Sequence, residues 1–155
     1  MITAIDTNVL LDILVPSAEH SAASKTLVDR HNSDGQLIIS ESVYAELSSQ
    51  FSSGQELKAF LKDTSIRLVS SNDAALANAG NRWKQYAKTR SARLQCTSRG
   101  TRLAVHCPEC GKTVSTRQHI ISDFLIGAHA LVHADLLLTR DRGFYRTYFK
   151  DLRIG

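Results

Sequence analysis

Four acidic residues at separate points of the chain each lie close to a short apolar run. They are Asp6, Glu46, Asp123 and Asp141. If the apolar runs belong to one packed sheet and its helices, the four carboxylates converge at one end of that sheet. Like charges at close range disfavour ionisation, so converging carboxylates repel one another unless a cation lies between them. Mg²⁺ or Mn²⁺ would suit such oxygen ligands, and either ion could promote attack on a phosphodiester.

The acids can meet only if strands alternate with helices, and the apolar pattern predicts such a chain. Short runs that are nearly all apolar predict strands buried on both faces, with segments of helical spacing between them. The predicted strands are Ile2 to Ile5, Leu37 to Ile39, Ile66 to Val69 and Leu136 to Leu138, with Leu152 to Ile154 as a candidate edge strand. The predicted helices are Val9 to Leu14, Ala18 to Arg30, one from Ser40 or Ser42 through Phe51, Gln55 to Lys62, one from Asn72 or Asp73 to Lys88, Ile120 to Ala134 and Phe144 to Phe149. This order predicts an α/β fold with a parallel sheet of four to five short strands, in which sites form beyond the carboxyl ends of the strands.

Length and composition predict a single domain. At 155 residues the chain is long enough for one core, and a second independent domain is not expected. Hydrophobic residues make up 43% and charged residues 22%, as in ordinary globular proteins, and no apolar run reaches the length of a membrane span. The sequence starts without a basic segment or an apolar signal core. We therefore expect one domain over 1–155, a cytoplasmic location and no membrane partner.

Each acid taken alone has a simpler interpretation as a helix cap or a solvated surface charge. Asp123 fits this interpretation less well, because it lies among apolar residues near the start of a predicted helix. Gly127 lies one turn further along the same face and lowers helix propensity, so close packing against it is expected. The combination of the acids, and not any one of them, favours a shared site.

Three blocks of sequence carry a resemblance to a known family. They are Ile5-Asp6-Thr7-Asn8-Val9-Leu10-Leu11, Ser122-Asp123-Phe124-Leu125-Ile126-Gly127-Ala128-His129-Ala130 and Leu138-Thr139-Arg140-Asp141. The blocks resemble the signatures of the PIN-domain ribonucleases, especially the VapC-type toxins of toxin–antitoxin pairs. Glu46, in Val43-Tyr44-Ala45-Glu46-Leu47, matches the remaining acid of that family. The resemblance covers nearly the whole chain apart from 90–117, and it implies a three-layer α/β/α fold.

The resemblance implies a Mg²⁺- or Mn²⁺-dependent endoribonuclease that hydrolyses RNA phosphodiester bonds as the toxin of a toxin–antitoxin system. The four acids would hold the metal directly or through waters, and the metal would lower the pKa of a bound water that attacks phosphorus. Asn8 and Thr139 would orient a carboxylate or a water, although a helix cap and a strand-end turn explain these two residues about equally well. A homodimer and a small antitoxin that blocks the acidic site are also implied.

A cysteine motif lies within 90–117. Cys107-Pro108-Glu109-Cys110-Gly111-Lys112 has the form of a zinc knuckle, in which two thiolates flank a tight turn that glycine permits. Cys96 begins a similar frame upstream, with Arg99 where the second cysteine of a paired knuckle would stand. Structural zinc takes four ligands, so the three cysteines would need a fourth, for which His119 is preferred to His106. A reduced, metal-free loop is an equally good interpretation.

The same segment is basic. Glu109 is the only acid among nine lysines and arginines between Arg82 and Arg117, and such a segment would attract a polyanion. The predicted RNA contacts are Arg90, Arg93, Arg99 and Arg102. A solvated helix face with a basic loop explains the charge about as well. Because the segment shows no sustained period, we expect an insertion at about 90–117 that carries structure of its own.

Other functions fit the sequence less well. The main alternative is a non-catalytic nucleic-acid-binding module that uses the basic Cys-containing segment, but surplus acids weaken polyanion binding unless a cation masks them. A phosphotransferase of the haloacid dehalogenase type would need a second aspartate where Asn8 stands. A Rossmann dehydrogenase would need Gly-x-Gly-x-x-Gly after the first strand, which this chain lacks.

Overall fold

The fold is taken from a computed structural model in which residues 1–15, 19–89, 93–95, 101–114 and 119–155 are described. The strands are β1 (Ile2–Ile5), β2 (Gln36–Ile39), β3 (Ile66–Leu68), β4 (Leu94–Gln95), β5 (Arg102–Leu103) and β6 (Leu136–Leu138). The helices are α1 (Thr7–Leu14), α2 (Ser21–Asp34), α3 (Glu41–Ser48), α4 (Gly54–Asp63), α5 (Asp73–Thr89), α6 (Ile121–His133) and α7 (Arg142–Tyr148).

The main sheet contains four parallel strands in the order β3-β2-β1-β6. β1 lies inside the sheet, where Ala4 is opposite Ile38 of β2 and Leu137 of β6. The apolar residues of β2 and β6 are buried, as a parallel sheet covered by helices requires. The predicted α/β fold with a parallel sheet is confirmed. Ile154 of the candidate edge strand forms an isolated parallel bridge with Leu137 and does not extend into a full strand.

Polar caps decide between the helix starts that the sequence left open. Ser40, and not Ser42, caps α3, because its hydroxyl accepts a hydrogen bond from the Val43 amide at 3.3 Å. Asn72 precedes α5, and its side-chain oxygen accepts a hydrogen bond from the Ala75 amide at 2.9 Å. In both cases the cap satisfies a backbone N–H that has no partner within the helix.

Helices α1 and α2 differ from their predicted bounds. α1 begins at Thr7 and not at Val9, directly after β1, and Asp6 occupies its N-cap position without a side-chain cap bond. α2 begins at Ser21 and continues past the predicted end at Arg30 to Asp34. The extra turn brings the His31 ring to the sheet, where its Nδ1 lies 3.4 Å from the Thr3 hydroxyl.

The described part of 90–117 contains a small two-stranded sheet. β4 and β5 pair antiparallel, with Leu94 opposite Leu103. The chain then continues into a hairpin in which His106 bridges Thr113 and the Val114 amide donates to the Val105 carbonyl at 2.8 Å. Across all the described ranges, no helix is both long enough and apolar enough to cross a bilayer.

Gly127 of α6 packs against Phe149, the residue that follows α7. A Cβ at this position would lie 2.6 Å from Cζ of Phe149, closer than non-bonded atoms approach. The Phe149 ring is itself buried, and its centroid lies 6.1 Å from that of Phe124. The close packing expected at Gly127 is therefore present, with Phe149 as the neighbour.

We predict that Gly127→Ala destabilises the protein by about 1–3 kcal/mol, because the added methyl group must displace a packed ring. The measurement is the free energy of unfolding from urea titration. Gly80→Ala is the matched control, since Gly80 also lies in a helix but has nothing within 4 Å of the added Cβ. There the gain in helix propensity should stabilise the protein by about 0.5–1 kcal/mol. Equal effects at the two positions would contradict the packing role of Gly127.

Candidate active site

The four sequence-predicted acids lie at the carboxyl edge of the main sheet. Asp6 follows β1 and Asp141 comes shortly after β6, and these strands are parallel neighbours. Glu46 lies on α3, which follows β2, and Asp123 lies in the first turn of α6. Asp6 is under the electrostatic influence of Asp123 and Glu46, and Asp123 under that of Asp141 and Glu46. The structure thus brings the acids together.

Asp6 is the most buried of the four, with 6% of its surface exposed. Its Oδ2 atom accepts hydrogen bonds from Nδ2 of Asn8 and Oγ1 of Thr139, both at 2.6 Å. Burial raises the pKa of Asp6 to about 6, and the nearby charges of Asp123 and Glu46 also raise it, against the lowering effect of the Thr139 hydrogen bond. Asp6 is therefore a carboxylate held in an environment that disfavours its charge.

Thr139 connects two of the acids. Its hydroxyl donates to Asp6 and accepts a hydrogen bond from the Asp141 amide at 3.0 Å. The Asn8 side chain also approaches this hydroxyl, with Nδ2 at 3.3 Å. Asn8 and Thr139, which the sequence offered as groups that orient a carboxylate, both contact the carboxylate of Asp6.

The other three acids are each oriented by a neighbouring hydrogen bond. Thr7 donates its hydroxyl proton to Oε2 of Glu46. Oδ2 of Asp123 accepts a hydrogen bond from the Ile120 amide at 2.9 Å, and Oδ1 of Asp141 accepts one from the Phe144 amide at 3.2 Å. Asp123 and Asp141 thus stabilise the starts of α6 and α7, as the simpler interpretation proposed, while facing the shared edge. These hydrogen bonds use one oxygen of each carboxylate.

Burial also raises the pKa of Asp123, and the charges of Asp141 and Glu46 add to the effect. Tyr145 of α7 is buried beside these acids. Burial, followed by the charges of Asp6, Asp123 and Asp141, raises the pKa of Tyr145 well above its usual range. Tyr145 is therefore protonated at neutral pH, and no sequence pattern indicated its place beside the acids.

The donor set fits a hard divalent cation. Carboxylate and hydroxyl oxygens dominate the edge, and the mutual repulsion of the acids would be relieved by positive charge. Within the described ranges, no three Asp, Glu, His or Cys side chains are grouped closely enough to be joint ligands of one ion as they stand. Mg²⁺ does not require such a cage, because it commonly binds one or two carboxylates and keeps several waters.

The cysteine motif forms a tight turn. The Cys107 amide donates to the Lys112 carbonyl and the Gly111 amide to the Cys107 carbonyl, both at 2.9 Å. Gly111 has a φ of 68°, which a residue with a side chain rarely adopts. Backbone hydrogen bonds from Cys110 and Glu109 lower the pKa of the Cys107 thiol. Cys107 and Cys110 are free thiols, and Cys96 lies outside the described residues.

His119 lies among aromatic rings near the start of α6. It is 8% exposed, and its ring centroid is 4.5 Å from that of Phe144 and 5.6 Å from that of Tyr86. Its Nε2 atom has no hydrogen-bond partner among the described atoms, and burial lowers its pKa. The structure does not group His119 with the two described cysteines. The zinc site stays a prediction.

Two of the four predicted RNA contacts lie within the described residues. Arg93 is exposed directly before β4, and Arg102 is exposed within β5. Arg90 and Arg99 lie outside the described residues. Two of the four arginines are thus accessible to a polyanion.

The protein combines an α/β fold with an acidic site at the carboxyl edge of its parallel sheet. The sequence matches the PIN domain over residues 3–150, and the chain therefore belongs to the PIN domain family. No curated protein sequence matches the chain.

Solved structures of similar fold include the following three. One is VapBC2 from Rickettsia felis bound to a DNA fragment from their promoter, with a TM-score of 0.63 and 15% identity, covering 100% of this chain and 98% of that chain. Another is VapBC-1 from nontypeable Haemophilus influenzae, with a TM-score of 0.63 and 19% identity, covering 100% and 97%. A third is FitAcB from Neisseria gonorrhoeae, with a TM-score of 0.56 and 20% identity, covering 99% and 96%. At these identities the similarity establishes the fold.

We predict that Asp6→Asn stabilises the metal-free protein at neutral pH. The folded-state pKa of about 6 exceeds the ordinary 3.8, so the folded protein binds the proton more tightly and loses stability as the pH rises between these values. Asparagine keeps the acceptor for Asn8 and Thr139 but carries no charge. The gain should grow between about pH 4 and pH 7 to about 1–3 kcal/mol, measured by urea unfolding in EDTA. A variant that is less stable than wild type across this range would contradict the electrostatic account.

Proposed function

We propose that this protein is a Mg²⁺- or Mn²⁺-dependent endoribonuclease that acts as the toxin of a toxin–antitoxin system. The observation that carries the proposal is the convergence of four acids at the carboxyl edge of a PIN-domain sheet, with Asp6 buried and its pKa raised. Burying a carboxylate beside other carboxylates costs stability, so a chain that retains the arrangement gains something other than stability from it.

In this proposal Asp6, Glu46, Asp123 and Asp141 hold the cation directly or through waters. When bound, the cation would lower the pKa of a coordinated water and offset the charge of the scissile phosphate. Asn8 and Thr139 fix the rotamer of Asp6 through two short hydrogen bonds, and Thr7 fixes Glu46. The chain's own contribution is therefore to hold the carboxylates in place before the substrate arrives.

RNA is proposed as the substrate because the acidic edge belongs to a protein with a formal charge of +4 and a strongly basic segment. Arg93 and Arg102 are exposed on that segment, and Arg90 and Arg99 are proposed to join them. A non-catalytic module that binds nucleic acid through the Cys-containing segment is the competing function. It gives no reason for burying Asp6 beside Asp123 and Glu46, and those charges would oppose binding of a polyanion.

The partners are proposed from the family and from the names of the similar structures. Solved structures of similar fold include VapBC and FitAB, which supports a small antitoxin as the partner of this chain. We further propose a homodimer in the cytoplasm. The domain is proposed to span 1–155, with 90–117 as an insertion that carries the basic and cysteine residues.

The insertion is proposed to bind structural zinc through Cys96, Cys107, Cys110 and His119. The turn that holds Cys107 and Cys110 supports this, because backbone N–H groups directed at the Cys107 sulfur favour its thiolate form. Binding of His119 would require this residue to leave its aromatic neighbours Tyr86 and Phe144. If zinc binds, it stiffens the basic segment and takes no part in catalysis.

We predict that Asp6→Asn and Asp141→Asn each lower metal-dependent RNA cleavage by at least about 100-fold, because each removes a charge that would hold the cation. The measurement is cleavage of a defined RNA with Mg²⁺ or Mn²⁺, and with EDTA. Asp29→Asn is the matched control, since Asp29 is an exposed acid on α2. Circular dichroism should show unchanged folds. Full activity of either site variant, or cleavage that EDTA does not affect, would refute the proposal.

Zinc should be present at about one equivalent in protein purified without chelator, and Cys107→Ser or Cys110→Ser should remove it. Elemental analysis by mass spectrometry measures the content. His119→Gln tests the fourth ligand separately. If His119 binds zinc, this variant should lose the metal, whereas a residue that only packs against aromatic rings could be replaced without loss of zinc. Less than about a tenth of an equivalent in the wild-type protein would reject the site.

A further inference from the structure

A fifth acid, Asp12, is buried near the acidic edge without belonging to it. It lies on α1 and only 4% of its surface is exposed. Its Oδ2 atom accepts a hydrogen bond from the Ser24 hydroxyl at 2.6 Å and forms an ion pair with Nε of Arg140 at 2.8 Å. A buried carboxylate is stable only when it is paired and hydrogen-bonded, and Asp12 meets both conditions.

Arg140 lies between Thr139 and Asp141, so the ion pair ties the segment that carries these residues to α1. The same arginine contacts Asn8 twice. Its backbone N–H donates to the side-chain oxygen of Asn8 at 3.1 Å, and its Nη2 donates to the Asn8 carbonyl at 3.3 Å. One residue therefore joins the buried Asp12 to a residue that contacts Asp6.

The contact between Arg140 and Asn8 sets which way the amide of Asn8 points. An amide has a donor end and an acceptor end, and the backbone N–H of Arg140 occupies the acceptor end. The donor end then faces Oδ2 of Asp6 at 2.6 Å. If the Arg140 segment moved away, the amide would lose the partner that holds it in this orientation.

We propose that Arg140, held by Asp12, is a positioning residue that fixes the Asn8 amide and through it the Asp6 carboxylate for binding a divalent cation. This inference rests on the proposed function, since it names residues that prepare the same site. Arg140 is not proposed to touch RNA. Its side chain is 43% exposed, but its guanidinium already binds Asp12 and Asn8.

Arg140→Met gives the sharpest test because two explanations predict opposite signs. Removing a positive charge near four acids should strengthen binding of a divalent cation if only long-range electrostatics matters. If Arg140 acts by positioning, binding of Mn²⁺ should weaken by about tenfold. The measurement is the dissociation constant for Mn²⁺ from calorimetric titration of the full chain, which needs no catalytic turnover.

Four further variants separate positioning from folding. Asp12→Asn should weaken Mn²⁺ binding to a similar degree, and Asp12→Asn combined with Arg140→Met should weaken it no further, because both changes break one connection. Arg140→Lys keeps the charge but not the planar group that contacts both Asp12 and Asn8. Compared with Arg140→Met, it should therefore recover more of the thermal stability than of the Mn²⁺ affinity. Arg82→Met is the control, since Arg82 forms an ion pair of the same 2.8 Å length with Asp151. It should change thermal stability but not Mn²⁺ affinity.

Kinetics distinguish positioning from direct contact with the substrate. At saturating Mn²⁺, Arg140→Met should lower kcat for RNA cleavage and leave KM for RNA unchanged. A raised KM with unchanged kcat would overturn the proposal and make Arg140 an RNA contact. Mn²⁺ binding by Arg140→Met that equals or exceeds that of wild type would also overturn it. If the wild-type protein itself fails to bind Mn²⁺, the proposed function fails together with this inference, whereas binding by wild type with no effect of Arg140→Met refutes the inference alone.

Discussion

The parallel pairing of β1 with β6 is the constraint on which the acidic edge depends. Ile5 lies opposite Leu138, and the Asp6 amide donates to the Leu138 carbonyl at 2.9 Å, so the ladder continues one residue beyond β1. Asp6 and Thr139 therefore leave the sheet side by side, close enough for the 2.6 Å hydrogen bond between them. A register shift of one residue would turn one of the two side chains to the opposite face. The contact that orients Asp6 is thus a consequence of strand register.

The edge combines an unfavourable charge distribution with hydrogen bonds that limit its cost. Burial and neighbouring acids raise the pKa of Asp6, while Thr139 and the Thr7 backbone lower it. Without those donors the carboxylate would be protonated over a wider pH range and would offer less charge to a cation. A core selected for stability alone would not place Asp6 and Asp123 so close together. These hydrogen bonds lower the pKa of Asp6 against the effect of burial, and they also fix the direction of its carboxylate.

Much of the fold follows from local patterns, and much of the site does not. A short apolar run predicts the strand Leu136–Leu138 at its observed bounds, because strands buried on both faces of a parallel sheet are typically apolar throughout. The sequence does not distinguish Ser40 from Ser42 as the N-cap of α3, since either hydroxyl could accept a hydrogen bond from a backbone amide of the first turn. In the fold, Ser40 is the N-cap. The pairing of Arg140 with Asp12 left no trace in the sequence, because it joins two elements that only the tertiary fold brings together. Asp12 alone looks like an ordinary polar residue on a short helix.

Aromatic packing explains why α6 and α7 present their acids to the same place. Phe124 follows Asp123 directly, and its ring packs edge-on against Phe144 of α7 with centroids 5.0 Å apart. Phe144 also donates its amide to Asp141, so a single residue fixes both the helix contact and the carboxylate. Gly127 extends this contact by admitting the Phe149 ring. The rings set the distance between the two helices, so the separation of Asp123 and Asp141 depends on apolar residues. A change in that packing would alter the geometry of the site without altering its charge.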